Sequence, residues 1–183
     1  MTKSLVENLW IILTVLIPSI IFYTIFRVLT LVLEINIPLL KYIETSDTLF
    51  IGIIITLGFI IQLFGIATES LIFKIGYCVY KKPEYKKAFK DKYKIIATMD
   101  SDKGCNIERI VAQLFMSHNI AVGMLINFSW TCIYILLVQR FDSIAIVVVV
   151  VLAIITMVSM YVPINRFNQT CEVLHSYSSK HYI

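Results

Sequence analysis

Charge is scarce in this chain of 183 residues: 15% of its side chains are Asp, Glu, Lys or Arg, where a water-soluble domain carries about a quarter. Recognisable catalytic patterns are missing as well. There is no phosphate-cradling glycine loop, no HExxH, no GxSxG and no group of carboxylates suited to a metal, so the sequence gives no reason to expect an enzyme or a cofactor. Four cysteines are present, but no CxxC and no short His/Cys spacing, which argues against a zinc site. Cys78, Cys105, Cys132 and Cys171 read as unpaired small hydrophobes. A basic n-region and a small-residue cleavage site are also absent, so the first apolar run is expected to be a retained span of a mature chain starting at Met1. No internal repeat or low-complexity tract is visible.

What the sequence does have is apolar length. Fully 58% of the residues are hydrophobic, and they gather into four runs of the roughly 20 residues that cross a bilayer. The expected architecture is therefore all-α: a single polytopic membrane domain with spans near 9–33, 48–68, 118–138 and 143–162. The VVVVV core of the fourth span reads as a lipid-facing helix. From Lys74 to Arg109 there are ten Lys/Arg and five Asp/Glu, whereas residues 34–47 contain one Lys and three acids. Basic residues of short loops stay on the cytoplasmic side, so the long middle connection and both termini are expected inside. The location implied is a bacterial inner membrane.

The second and third spans should continue past the bilayer as a cytoplasmic helical extension, 69–117, with a polar turn at residues 100–104, and a cytoplasmic tail should follow at 163–183. The stretch ERIVAQLFMS places Ile110, Val111, Leu114 and Phe115 on one side of a helix. The connection is too short to fold independently, so it must rest on the protruding helices or on neighbours.

Polar residues inside the spans are the candidate sites. Gly58, Gln62, Gly65, Glu69 and Gly76 fall within about 60° of one another on a helix, which makes a narrow stripe facing protein or water. Gln113, Ser117, Asn127 and Thr131 share an arc of about 80°, flanked by Asn119 and Gly123. Both faces fit helix packing, an oligomer contact or a pore lining. Glu69 and His118 should lie at similar depth, where the carboxylate could hold the histidine or Arg109; a simply hydrated histidine is the plainer alternative. Arg27 is expected to reach the outer headgroups, and the oily segment 28–44 to lie against the outer surface or a neighbouring chain. Lys86, Lys87, Lys90 and Arg109, interleaved with Tyr77, Tyr80, Tyr85, Phe89 and Tyr93, suit contact with anionic lipid or a protein partner better than nucleic acid. The Asn168-Gln-Thr sequon lies on the inner side and carries no glycan.

The four-span layout, with extensions such as TESLIFKIGY and ERIVAQLFMSHN, resembles the membrane subunits of bacterial antiphage defence systems, in particular the membrane subunit (KwaA) of the Kiwa system. The resemblance implies a homo-oligomer, a tetramer, that senses phage-associated disturbance at the envelope and docks a soluble DNA-binding effector (KwaB). It supplies no catalytic residue. The function expected is a non-enzymatic membrane scaffold or sensor that recruits a soluble effector. The alternatives are an ion-conducting or membrane-disrupting pore and a membrane immunity protein.

Overall fold

The computed structural model describes residues 10–80, 89–92 and 101–181. Helix α1 spans Ile12–Val32, α2 is the short Pro38–Glu44, α3 is Asp47–Tyr80, α4 is Ser101–Val138 and α5 is Ser143–His181. No strand occurs among the described residues. This is a multi-pass membrane protein: the segments Ile12–Val32, Asp47–Glu69, Asn106–Val138 and Ser143–Tyr177 are each long and apolar enough to cross a bilayer.

Helix α4 is the centre of the bundle. It packs against α5 along much of its length, against α1 on another side and against α3 on a third. The outer faces of α3 (Phe59, Leu63, Ile66) and α5 (Val147, Val150, Ile154, Val158) are exposed, as lipid-facing surfaces should be. The valine run thus sits where its composition predicts.

One end of the bundle carries the lysine-rich 81–100 connection and is called here the basic end; the opposite end carries the α4–α5 turn and is the hairpin end. At the hairpin end α1 and α4 stop in the same way. Glu34 and Gln139 take left-handed φ values of 55° and 54°. Beyond them Ile35 N–H reaches the Thr30 carbonyl (2.8 Å) and Arg140 N–H the Ile135 carbonyl (3.1 Å), a pattern that satisfies carbonyls left open by the helix end. Arg140 then donates to the Leu33 carbonyl and to Asp142 (2.7 Å), and Asp142 accepts from the Ala145 N–H (2.7 Å) to cap α5. The oily segment after α1 folds back: Leu40 and Ile43 of α2 pack on Tyr23 and Ile54, while Leu39 and Tyr42 stay exposed.

At the basic end the structure corrects two boundaries. The described part of the expected polar turn, residues 101–104, is helical, and α5 runs on without a break from the fourth span into the residues expected as a cytoplasmic tail, as far as His181. Pro163 lies within α5 and removes one backbone hydrogen bond there, yet the helix continues. The reason is on its buried side: Phe167, Cys171 and Leu174 recur at helical spacing and pack on Ile107, Val111 and Leu114 of α4. Ile107, not Ile110, completes that face of α4.

Candidate functional site

Pro18 sets the first feature of the site. It follows a π-helical turn, Ile12–Leu16, and having no N–H it cannot serve the Thr14 carbonyl four residues earlier. Asn119 of α4 supplies the donor instead, its Nδ2 lying 2.7 Å from that carbonyl. Eight residues further along both helices, Asn127 Nδ2 donates to the Phe22 carbonyl at 3.2 Å. The equal spacing means that α1 and α4 run in the same direction with two polar rungs about 12 Å apart. Between the rungs, Gly123 lies beside the Phe22 side chain.

The glycine stripe of α3 closes the opposite side of this seam. A Cβ on Gly58 would stand 2.7 Å from the backbone oxygen of Val15, in the π turn of α1. A Cβ on Gly65 would collide with the Asn119 side chain. Beside Gly65, His118 Nε2 is 2.8 Å from the Gly65 carbonyl and 3.2 Å from Thr68 Oγ1. A carbonyl only accepts, so Nε2 carries the hydrogen and Nδ1 is the unprotonated nitrogen. Nδ1 is buried and, like the Asn127 Oδ1, has no hydrogen-bond partner here.

The polar arc of α4 therefore does not present one face to one neighbour. Gln113 turns to α5, where it accepts from Arg166 (2.9 Å); Ser117 bonds back to its own helix at the Leu114 carbonyl (2.7 Å); Asn127 meets α1; and His118 meets α3. Because α4 packs on three helices, these side chains find partners within the chain, while His118 Nδ1 and Asn127 Oδ1 are left without one.

The expected Glu69–His118 pair is not formed. His118 spends its donor on the Gly65 carbonyl, and Lys92, in the four residues described from the middle connection, acts on Glu69 through its field. Lys92 is 9% exposed, and its Nζ lies 4.2 Å from the centroid of Phe89 and 5.9 Å from that of Phe115. Burial holds this ammonium below the usual lysine value, with the Glu69 carboxylate opposing the shift. Phe89, 3% exposed, stacks at a tilt on Phe167 with centroids 5.2 Å apart. Trp10 meets Phe115 on the other side at 5.8 Å. So residues 89–92 of the connection rest on α4 and on α5.

Of the other expected positions, Gln62 is half-buried, and Lys90 and Arg109 are exposed. Lys86, Lys87, Tyr85 and Tyr93 lie outside the described residues, as do the side chains of Tyr77 and Tyr80. Arg27 is half-buried, its Nη1 3.5 Å from Thr30 Oγ1 on the side toward the hairpin end. Cys132 and Cys171 are free thiols, the latter inside the basic-end core. Among the described residues no group of His, Cys, Asp and Glu could hold a metal ion. Comparison with known proteins adds nothing to this geometry. No family model, curated protein or solved structure matches the chain. Two residues of consequence, Phe89 and Lys92, were visible only as members of a lysine-rich stretch; their i, i+3 spacing was the available signal.

Proposed function

We propose that this protein is a non-enzymatic membrane scaffold or sensor of a bacterial inner membrane, both termini cytoplasmic, which assembles as a homo-oligomer, a tetramer, and recruits a soluble effector through its basic end. Antiphage defence, in the manner of the Kiwa membrane subunit that the chain resembles in layout, is the setting we favour. The observation that carries this reading is the second hydrophobic core at the basic end, where Phe89, Ile107, Val111, Leu114, Phe167, Cys171 and Leu174 pack beyond the polar seam. A protein that only needed to cross the bilayer has no use for such a platform. It joins α4, α5 and residues 89–92 in one surface bearing exposed Lys90, Arg109 and Arg166, the mixed composition of a docking face.

The pore alternative requires the polar side chains of α3 and α4 to share a water-filled space. Gln113, His118, Asn119 and Asn127 are engaged instead with α5, α3 and α1, which leaves that alternative with less support.

The test is a triple charge reversal, Lys86→Glu, Lys87→Glu and Lys90→Glu, in the full chain. Co-purification of the product of the neighbouring gene should be lost while insertion and oligomer size are retained. Undiminished recruitment by a correctly inserted variant would remove the docking reading, and ion flux through reconstituted wild-type protein would favour the pore.

A further inference from the structure

Helices α1 and α5 both pack on α4 but have scarcely any contact with each other. Toward the hairpin end they leave a slot between them, floored by Leu29 and Leu152, which meet Met124 beneath. The floor is buried, whereas Val28 and Val151 on the two rims are about half exposed, so the slot opens on the lipid side of the bundle. Its lining is isoleucine, leucine and valine throughout, and its volume is about 280 Å³. From Val147 to Ile155 α5 rises about 12 Å, so a slot of that length and volume is about 5 Å across. A helix with its side chains is about 10–12 Å wide and cannot enter, whereas a single hydrocarbon chain fits. The depth suits the same occupant. Val32 ends α1 and Val147 lies one turn inside α5. The slot therefore begins near the hairpin-side surface and covers most of the roughly 15 Å of hydrocarbon in one leaflet. Left empty, its walls would lose dispersion contacts, and a lining with no polar group gives water nothing to bind.

We propose that this slot is a lipid-binding site: it holds one acyl chain of a phospholipid from the hairpin-side leaflet, which supplies the contact that α1 and α5 do not make with each other. The chain lies on Leu29 and Leu152 as a resident part of the bundle. It differs in this from the fluid lipid over Val150 and Ile154, which are exposed on α5 outside the slot. Such a site requires only that the helices cross a bilayer, whatever the basic end recruits.

Photocrosslinking tests it on the full chain in nanodiscs made with phosphatidylethanolamine that carries a diazirine midway along one acyl chain, the adducts being mapped by peptide mass spectrometry. Irradiated in the nanodisc, Leu29 and Leu152 should be labelled along with Val150 and Ile154. When the protein is instead extracted into detergent and washed before irradiation, labelling of Val150 and Ile154 should fall at least about tenfold and that of Leu29 and Leu152 less than about twofold, as for a slowly leaving ligand. Leu152→Phe pushes a ring into the slot and should cut the retained labelling of Leu29 at least about fivefold, with labelling of Ile154 in the nanodisc unchanged. A parallel loss at all four positions on washing would mean ordinary boundary lipid and overturn the site. Absence of labelling at Leu29 and Leu152 in the nanodisc would also overturn it, and would point to a side chain of a second copy as the occupant. Retained labelling of Leu29 that Leu152→Phe leaves unaltered would place the chain elsewhere and count against the slot. Should that variant fail to fold, the wild-type comparison before and after washing decides by itself.

Discussion

The two ends of this bundle are held together by different physics. At the hairpin end the chain is tied by its own backbone: two left-handed caps at Glu34 and Gln139, one arginine on the Leu33 carbonyl, and one aspartate capping α5. Most of the partners there are few residues apart; the exception is Arg140, which reaches a carbonyl 107 residues away. At the basic end the contacts are between side chains far apart in sequence, Phe89 with Phe167 and Lys92 with Phe115, and they bury aromatic surface. A short connection can be fixed by local hydrogen bonds, whereas a long one must be fixed by burial, because loop-closure entropy has to be offset before any contact forms.

The comparison is broken most severely at Phe167. Replacing this fully buried ring, Phe167→Ala, should cost about 3–5 kcal/mol and selectively loosen the basic end, read as lost protection of α5 beyond Pro163 in hydrogen exchange with the hairpin end unchanged. If both ends loosened equally, they would be one cooperative unit and the contrast would fail.

Glycines sharpen the comparison next, because two of them on one helix should respond with opposite signs. Gly58→Ala forces a Cβ against the Val15 backbone, which cannot swing aside, and should lower the melting temperature by an amount corresponding to about 1–3 kcal/mol. Gly52→Ala meets nothing within 4 Å and should raise stability by about 0.5–1 kcal/mol. A destabilised Gly52→Ala would point to a neighbouring chain on that face. These expectations also recast the glycine stripe: enlarging Gly58 or Gly65 should unfold the protomer before it separates protomers.

Asn119→Leu removes the donor that replaces the missing N–H of Pro18. Leaving the Thr14 carbonyl unserved in the bundle should cost about 1–3 kcal/mol. The paired change Pro18→Ala with Asn119→Leu should recover part of that loss by restoring a helical N–H, and thermal unfolding in detergent measures both.

The hairpin end gives smaller effects. Arg140 and the α5 amides hold the Asp142 carboxyl below its usual range. A depressed carboxyl contributes stability above its unfolded value and loses it as pH falls through the folded one, so the acid side of a melting-temperature profile should flatten in Asp142→Asn. High salt should shrink the difference, since the pair is exposed. Smallest of all, Gln139→Gly relieves a left-handed φ and should add roughly 0.5–1 kcal/mol.

The contrast between the ends also explains what could be read in advance. Four spans, the lipid-facing valines and the buried side of α3 were legible, because hydrophobic length and helical period are properties of a single segment. The Phe167–Cys171–Leu174 repeat was equally present but hidden behind Pro163, which reads locally as a stop. The Glu69–His118 pairing failed for another reason: similar depth brings two groups near one plane, but helix rotation chooses which atoms meet.

The sequence by itself determined four segments of membrane-spanning length and a stripe through Gly58 and Gly65 that faces protein or water, since apolar length and helical period need no knowledge of the neighbour. Only the tertiary structure decided which neighbour. It placed α4 at the centre, split its polar arc between α1 and α5, and turned His118 to the Gly65 carbonyl of α3 in place of Glu69. A polar group inside a bundle must find some partner, but its identity depends on helix crossings and rotations that involve the whole fold at once.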